Sequence, residues 1–110
     1  MEIKKVLVIA SDFSTTPGAR YREDGEFSGQ EFLEKLLQPE FEKAVNGEYI
    51  LKVDLDGVWG YPSSFVSGSF GKLSLEKGAD LVLKYITFKS DENPIRLEKI
   101  INEIKKPIKK

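Results

Sequence analysis

The stretch from Leu51 to Gly71, LKVDLDGVWGYPSSFVSGSFG, decides the fold. Its first part belongs to a strand that starts at Tyr49. Ile50, Leu51, Val53 and Leu55 are apolar, and Asp56-Gly57 closes the run with turn formers. Residues 57–64 then form a loop punctuated by Gly57, Gly60 and Pro62. Beyond it the period changes. Phe65, Val66, Phe70 and Leu73 recur at helical spacing, which predicts a helix from about Ser64 to Leu75. Gly68 and Gly71 sit inside that helix, where each costs about 1 kcal/mol relative to Ala, so they point to another element packed close against it. Strand, loop and helix in this order are half of an α/β unit.

The flanking sequence repeats the unit. Upstream, Ile3–Ala10 is an apolar, β-branched run and reads as a buried strand. Residues 11–26 lose all periodicity, and a short strand over Arg20–Glu23 is expected to form a hairpin with the first. A helix starts at Ser28: Ser28 and Glu31 match the capping-box pattern, and Phe27 and Phe32 occupy the hydrophobic-staple positions. Its apolar face is Phe32, Leu33, Leu36 and Leu37. Pro39 is read as an interruption that opens a second segment with Phe41, Ala44 and Val45 inward, ended by Asn46-Gly47. Downstream, Asp80–Phe88 alternates, with Leu81, Leu83 and Tyr85 on one side and Val82, Lys84 and Ile86 on the other, which predicts a third strand. Asn93-Pro94 opens a last helix with Leu97, Ile100, Ile101 and Ile104 as its stripe. Residues 105–110 are expected to be a frayed basic tail. At 110 residues, one domain spanning 1–110 fits the usual size.

Composition removes whole classes of chemistry. The chain has no Cys and no His, so it has no thiol nucleophile, no thiolate metal site and no imidazole base. Its 17 Lys+Arg balance 18 Asp+Glu, which argues against a nucleic-acid-coating protein. Residues 96–110 carry six Lys/Arg against two Asp/Glu, but cations in the last turns of a helix are favourable with its dipole and need no acidic partner. No apolar run approaches the length of a membrane span or a signal peptide, and the chain is read as cytoplasmic.

The candidate functional residues lie around the loop 57–64, because loops beyond the carboxyl ends of strands carry function in α/β sheets. Ser63 and Ser64 stand at a helix start. Either serves as an N-cap, or one is a regulatory or anion-contacting serine, since free N–H groups and the dipole suit a phosphate there. Trp59 and Tyr61 flank Gly60; the indole is either an interface anchor or a lid folded over the core. Asp54 and Asp56, two residues apart, fit a strand end and a turn, with hard-cation binding as the sharper alternative. Arg20 and Arg22 beside Tyr21 read as a solvated loop or as contacts to phosphate or carboxylate.

The quoted stretch resembles the STAS-like domains of unknown function found in bacteria. The resemblance rests on Asp54, Asp56, Gly57, Gly60, Ser64, Phe65, Phe70 and Gly71, with Pro17-Gly18-Ala19-Arg20, Phe27-Ser28-Gly29 and Phe32 upstream. The acidic residues common in that family after Ser-Phe are here Val66, Ser67, Gly68 and Ser69. The resemblance implies a small STAS-like α/β domain with a mixed sheet and helices mainly on one face. Through the more distant anti-anti-sigma factors it implies a regulatory, signal-transducing module that binds a kinase- or ATPase-like protein, with Ser64 as the counterpart of the switch serine and Pro62 in place of the preceding Asp. The expectation is therefore a non-enzymatic interaction module without a cofactor, working through Trp59, Gly60, Tyr61, Ser63, Ser64, Asp56 and Arg20. The rival expectation is a module that binds a nucleotide or other anion at the same helix start. An enzyme acting through Ser64 and Asp56 ranks last, since it would need a Lys or carboxylate base.

Overall fold

The computed structural model describes residues 1–108. Three strands, β1 (Ile3–Val8), β2 (Ile50–Asp54) and β3 (Ile86–Lys89), form one sheet in the order β1-β2-β3. Both pairings are parallel. Leu7 lies beside Val53 and Val53 beside Phe88, so these three side chains form one row on one face of the sheet. Val6, Lys52 and Thr87 form the next row, on the other face.

Parallel strands laid down in sequence order need crossovers, and right-handed crossovers that advance in one direction put every helix on the same face. Burial in β2 agrees: Leu51 and Val53 have no exposed surface, while Ile50, Lys52 and Asp54 are half-buried. Val6 on the outer face is 46% exposed. The α/β class and the one-sided helical layer hold. The expected mixed sheet is instead parallel in both pairings, because the segment expected to give an antiparallel hairpin, Arg20–Glu23, has no strand in it: Arg22–Asp24 is a 3₁₀ turn.

Among the described residues a single helical turn, Ile9–Asp12, follows β1, so the expected strand to Ala10 stops at Val8, and four longer helices fill the layer. α1 covers residues 29–47 as three continuous segments: Gly29–Phe32, a π-turn at Leu33–Leu37, and Gln38–Gly47. Pro39 does not break it. Just before the proline the helix widens into the π-turn, with the Gln38 N–H donating to the Leu33 carbonyl. Ser28 caps its start, its hydroxyl accepting from the Glu31 N–H at 3.0 Å. The Gly29 and Gln30 N–H groups donate to the carbonyls of Ala19 and Arg20. The staple is indirect: the Phe13 ring stands between Phe27 and Phe32, at 5.8 and 5.2 Å from their centroids. The helix ends in a Schellman pattern, Tyr49 N–H to Ala44 carbonyl and Glu48 N–H to Val45 carbonyl, with Glu48 rather than Gly47 left-handed at φ 54°.

α2 covers residues 63–77, again with a π-turn, at Ser67–Gly71. α3 (Ala79–Tyr85) and α4 (Pro94–Lys105) follow. The third strand is thus shorter than its sequence pattern: Asp80–Tyr85 is helical and only Ile86–Phe88 of that run pairs in the sheet. Val82 and Tyr85, three apart, are the buried pair, with Leu81 and Leu83 partly buried. Gly78, at φ 92°, makes the sharp turn from α2 into α3. Asn93 caps α4 through its side-chain oxygen, with Pro94 in the first position. Helix α4 stops at Lys105. Beyond it the Ile108 N–H donates to Glu103, and Lys109 and Lys110 of the basic tail lie outside the described residues. Phe13, Phe32, Phe65, Phe70 and Phe88 join the layers through a chain of ring contacts between 5.2 and 6.1 Å.

Candidate functional site

The strands end together, and the segments leaving them meet. The chain leaves β2 at Asp54, whose Oδ1 accepts the Asp56 N–H at 2.9 Å and starts the turn. Asp56 then faces the segment leaving β3. Its Oδ2 accepts from Lys89 Nζ at 2.7 Å and from the Asp91 N–H at 3.1 Å, and its Oδ1 accepts from the Glu92 N–H at 3.0 Å. Glu92 returns the contact, accepting the Gly57 N–H at 2.6 Å. The Lys89 ammonium, with the two backbone donors, holds the Asp56 carboxyl at about 2, below the usual carboxylate range. Asp56 and Asp91 push the Lys89 ammonium up in turn. Asp56 is therefore a clasp between two loops. Both its oxygens are occupied, and among the described residues no group of three or more acidic side chains is placed to hold a metal ion.

Past the clasp, Val58 turns into the core and Trp59 turns out. The Trp59 N–H donates to the Thr15 carbonyl at 2.9 Å, and its carbonyl accepts from Arg96 Nη2 at 2.9 Å. The backbone is held on both sides while the residue is 82% exposed, so the indole does not fold back over the core. Gly60 has open space where a side chain would be. The Tyr61 hydroxyl donates to the Leu55 carbonyl at 2.9 Å, closing the loop on itself. Its ring lies against Phe65 and under the Arg96 guanidinium, 5.6 Å from its centroid, and burial pushes its phenol above the ordinary range.

Neither serine caps α2. Pro62 occupies the N-cap position, and the first helical bond runs from the Val66 N–H to the Pro62 carbonyl. Ser63 and Ser64 are already the first two helical residues, Ser63 exposed and Ser64 half-buried. Among the described residues no side chain caps this end.

Asp56, Trp59, Gly60, Tyr61, Ser63 and Ser64 thus follow one another on the segment that leaves the carboxyl end of β2 and enters α2, with Trp59, Gly60 and Tyr61 lining one shallow cleft and Tyr61 and Ser63 another. Arg20 is not part of it. Its guanidinium donates to Ser67 in the middle of α2 and lines a separate groove. Thr15, Lys89, Glu92 and Arg96 fix the loop and were not among the sequence candidates. Each comes from a distant segment, and only the parallel register brings them in.

A family model described as a STAS-like domain of unknown function matches residues 28–96. The chain belongs to this family. The match runs from the serine that caps α1 to the arginine that holds Trp59, so it contains the whole loop and both of its flanking elements. No curated protein and no solved structure matches the chain. Among the described residues no helix is long and apolar enough to cross a membrane.

Proposed function

We propose that residues 1–110 act as one STAS-like domain, a non-enzymatic regulatory module that binds a protein partner through loop 57–62 and the start of α2. The observation that carries this reading is Trp59. A large aromatic side chain left in water on a backbone pinned at both its N–H and its carbonyl loses little further backbone freedom on binding, which favours it as an interface anchor. Kinship with STAS domains favours a kinase- or ATPase-like partner. Ser64, with Ser63 beside it, is the candidate for regulation by phosphorylation, since a phosphate would meet the positive end of the helix and add about two negative charges to the docking surface. The rival reading, a nucleotide or other anion on the same helix start, draws support from the absence of a side-chain cap there.

The test is a pull-down from host lysate with the wild-type chain, Trp59→Ala and Ser64→Asp, with the intact mass of each recovered chain. The partner reading expects a nucleotide-binding protein captured by wild type, depleted with Trp59→Ala and changed with Ser64→Asp, while all three melt alike. Identical captured sets for all three overturn it. A small molecule retained in place of a protein supports the rival.

A further inference from the structure

Away from loop 57–62, a groove of about 270 Å³ opens between α1 and α2, just below the size range of drug-sized ligand sites, which suits a small ligand. It lies where the two π-turns face each other, with Leu33 and Glu34 contributed by one and Ser67 and Gly68 by the other. Pro39 follows the first π-turn closely, no proline follows the second, and π-turns inside helices concentrate at functional sites.

Arg20 is built into this groove. A Cβ at Gly68 would lie 2.8 Å from the Arg20 carbonyl and 3.0 Å from its Cγ, so the bare glycine is what lets the arginine lie flat across the helix. Its guanidinium then donates to Ser67, a serine only 3% exposed. That partner is neutral, and one hydroxyl leaves most of the guanidinium's five donors free. Of the two carboxylates in the groove, Glu34 is held by Arg22, while Glu76 and Lys72, also in the lining, cancel in formal charge without forming an ion pair. Among the described residues Arg20 has no carboxylate partner, only the Ser67 hydroxyl.

The walls are mixed, with apolar side chains set among the polar ones. Tyr21, Leu75 and Ile108, at 41%, 39% and 46% exposed, are three of the chain's large exposed hydrophobic residues, and all three line this one groove. Convergence of exposed apolar side chains marks a binding site more than scattered ones do.

We infer that this groove binds a small organic oxyanion with an apolar body, its carboxylate or phosphate paired with Arg20 and its apolar part against Tyr21, Leu75 and Ile108. The site shares no residue with loop 57–62 and is independent of the partner reading.

The test is a titration of the full isotope-labelled chain, followed by amide NMR shifts, with benzoate, phenyl phosphate, neutral benzyl alcohol and inorganic phosphate. Saturable shifts at Tyr21, Ser67 and Gly68 are expected with benzoate or phenyl phosphate, and whichever binds more tightly identifies the head group. Benzyl alcohol and inorganic phosphate are expected to bind at least about tenfold more weakly, as is the better anion to Arg20→Gln. Leu75→Glu changes an exposed position and adds a negative charge to the groove, so it serves if Arg20→Gln does not fold; it too is expected to lose about tenfold or more. The inference is overturned by no saturable shift with either aromatic anion, by equal shifts with inorganic phosphate, by binding that survives Arg20→Gln or Leu75→Glu, or by shifts centred on residues 63–65.

Discussion

Asp56 holds three donors with two oxygens and ties the segment after β2 to the segment after β3. Its carboxyl sits at about 2 in the fold against an ordinary 3.8. The sign follows from that depression: the ionised form is the one the fold prefers, so its contribution is complete above the ordinary value and is lost as pH falls through about 4 to about 2. Thermal melts across this range should show wild type falling steeply while Asp56→Asn, already lower at neutral pH, changes less, the two converging in acid. Parallel curves would mean that the clasp does not form in solution. Ser28 is the second single residue on which much depends. It is fully buried, and its hydroxyl satisfies the Glu31 N–H. Ser28→Ala should lower stability by about 0.5–2 kcal/mol in chemical denaturation, and an unchanged midpoint would refute the cap.

Helix α1 meets α2 at a glycine pair. A Cβ at Gly29 would stand 2.5 Å from the Phe65 carbonyl oxygen and 3.1 Å from the Gly68 Cα, both backbone atoms that no rotamer change can move. Gly29→Ala should therefore push the helices apart and cost about 1–3 kcal/mol. Gly60→Ala, with nothing within 4 Å of the added carbon, should melt like wild type. Equal melts for the two variants would contradict the crossing. Elements were legible in the sequence wherever their signal is local. The serine at the start of α1 and the Asn93-Pro94 start of α4 are short-range chemistry and were read correctly. Asp80–Phe88 was misread because Leu81, Val82 and Tyr85 satisfy a helical period while the same run also alternates; packing under the sheet chose the helix for all but its end. The π-turns left no sequence pattern beyond Pro39.

On the scale of the whole molecule, three parallel strands in sequential order leave one face for helices and bring every loop at their carboxyl ends to one edge. Phe70 sits where the layers join, fully buried between Phe32 and Phe88. Phe70→Ala should cost about 3–5 kcal/mol, a large share of the about 5–15 kcal/mol that holds a small domain together; a soluble variant with an unchanged urea midpoint would refute this placement. The candidate surface was half legible. Its central segment could be read from the strand end and turn residues of β2, but Lys89, Glu92 and Arg96 stand more than thirty residues from their partners, and only the register of β3 delivers them. Arg20 was grouped with the loop by its chemistry, and the fold places it elsewhere. Trp59, as the proposed anchor held ready in solvent, is its own direct probe, because the chain has no other tryptophan. Acrylamide quenching of its fluorescence should be near that of a free indole in the isolated chain and should fall sharply when the captured partner is added. A tryptophan already shielded in the isolated chain, or one quenched equally with the partner bound, would rule out Trp59 as the anchor.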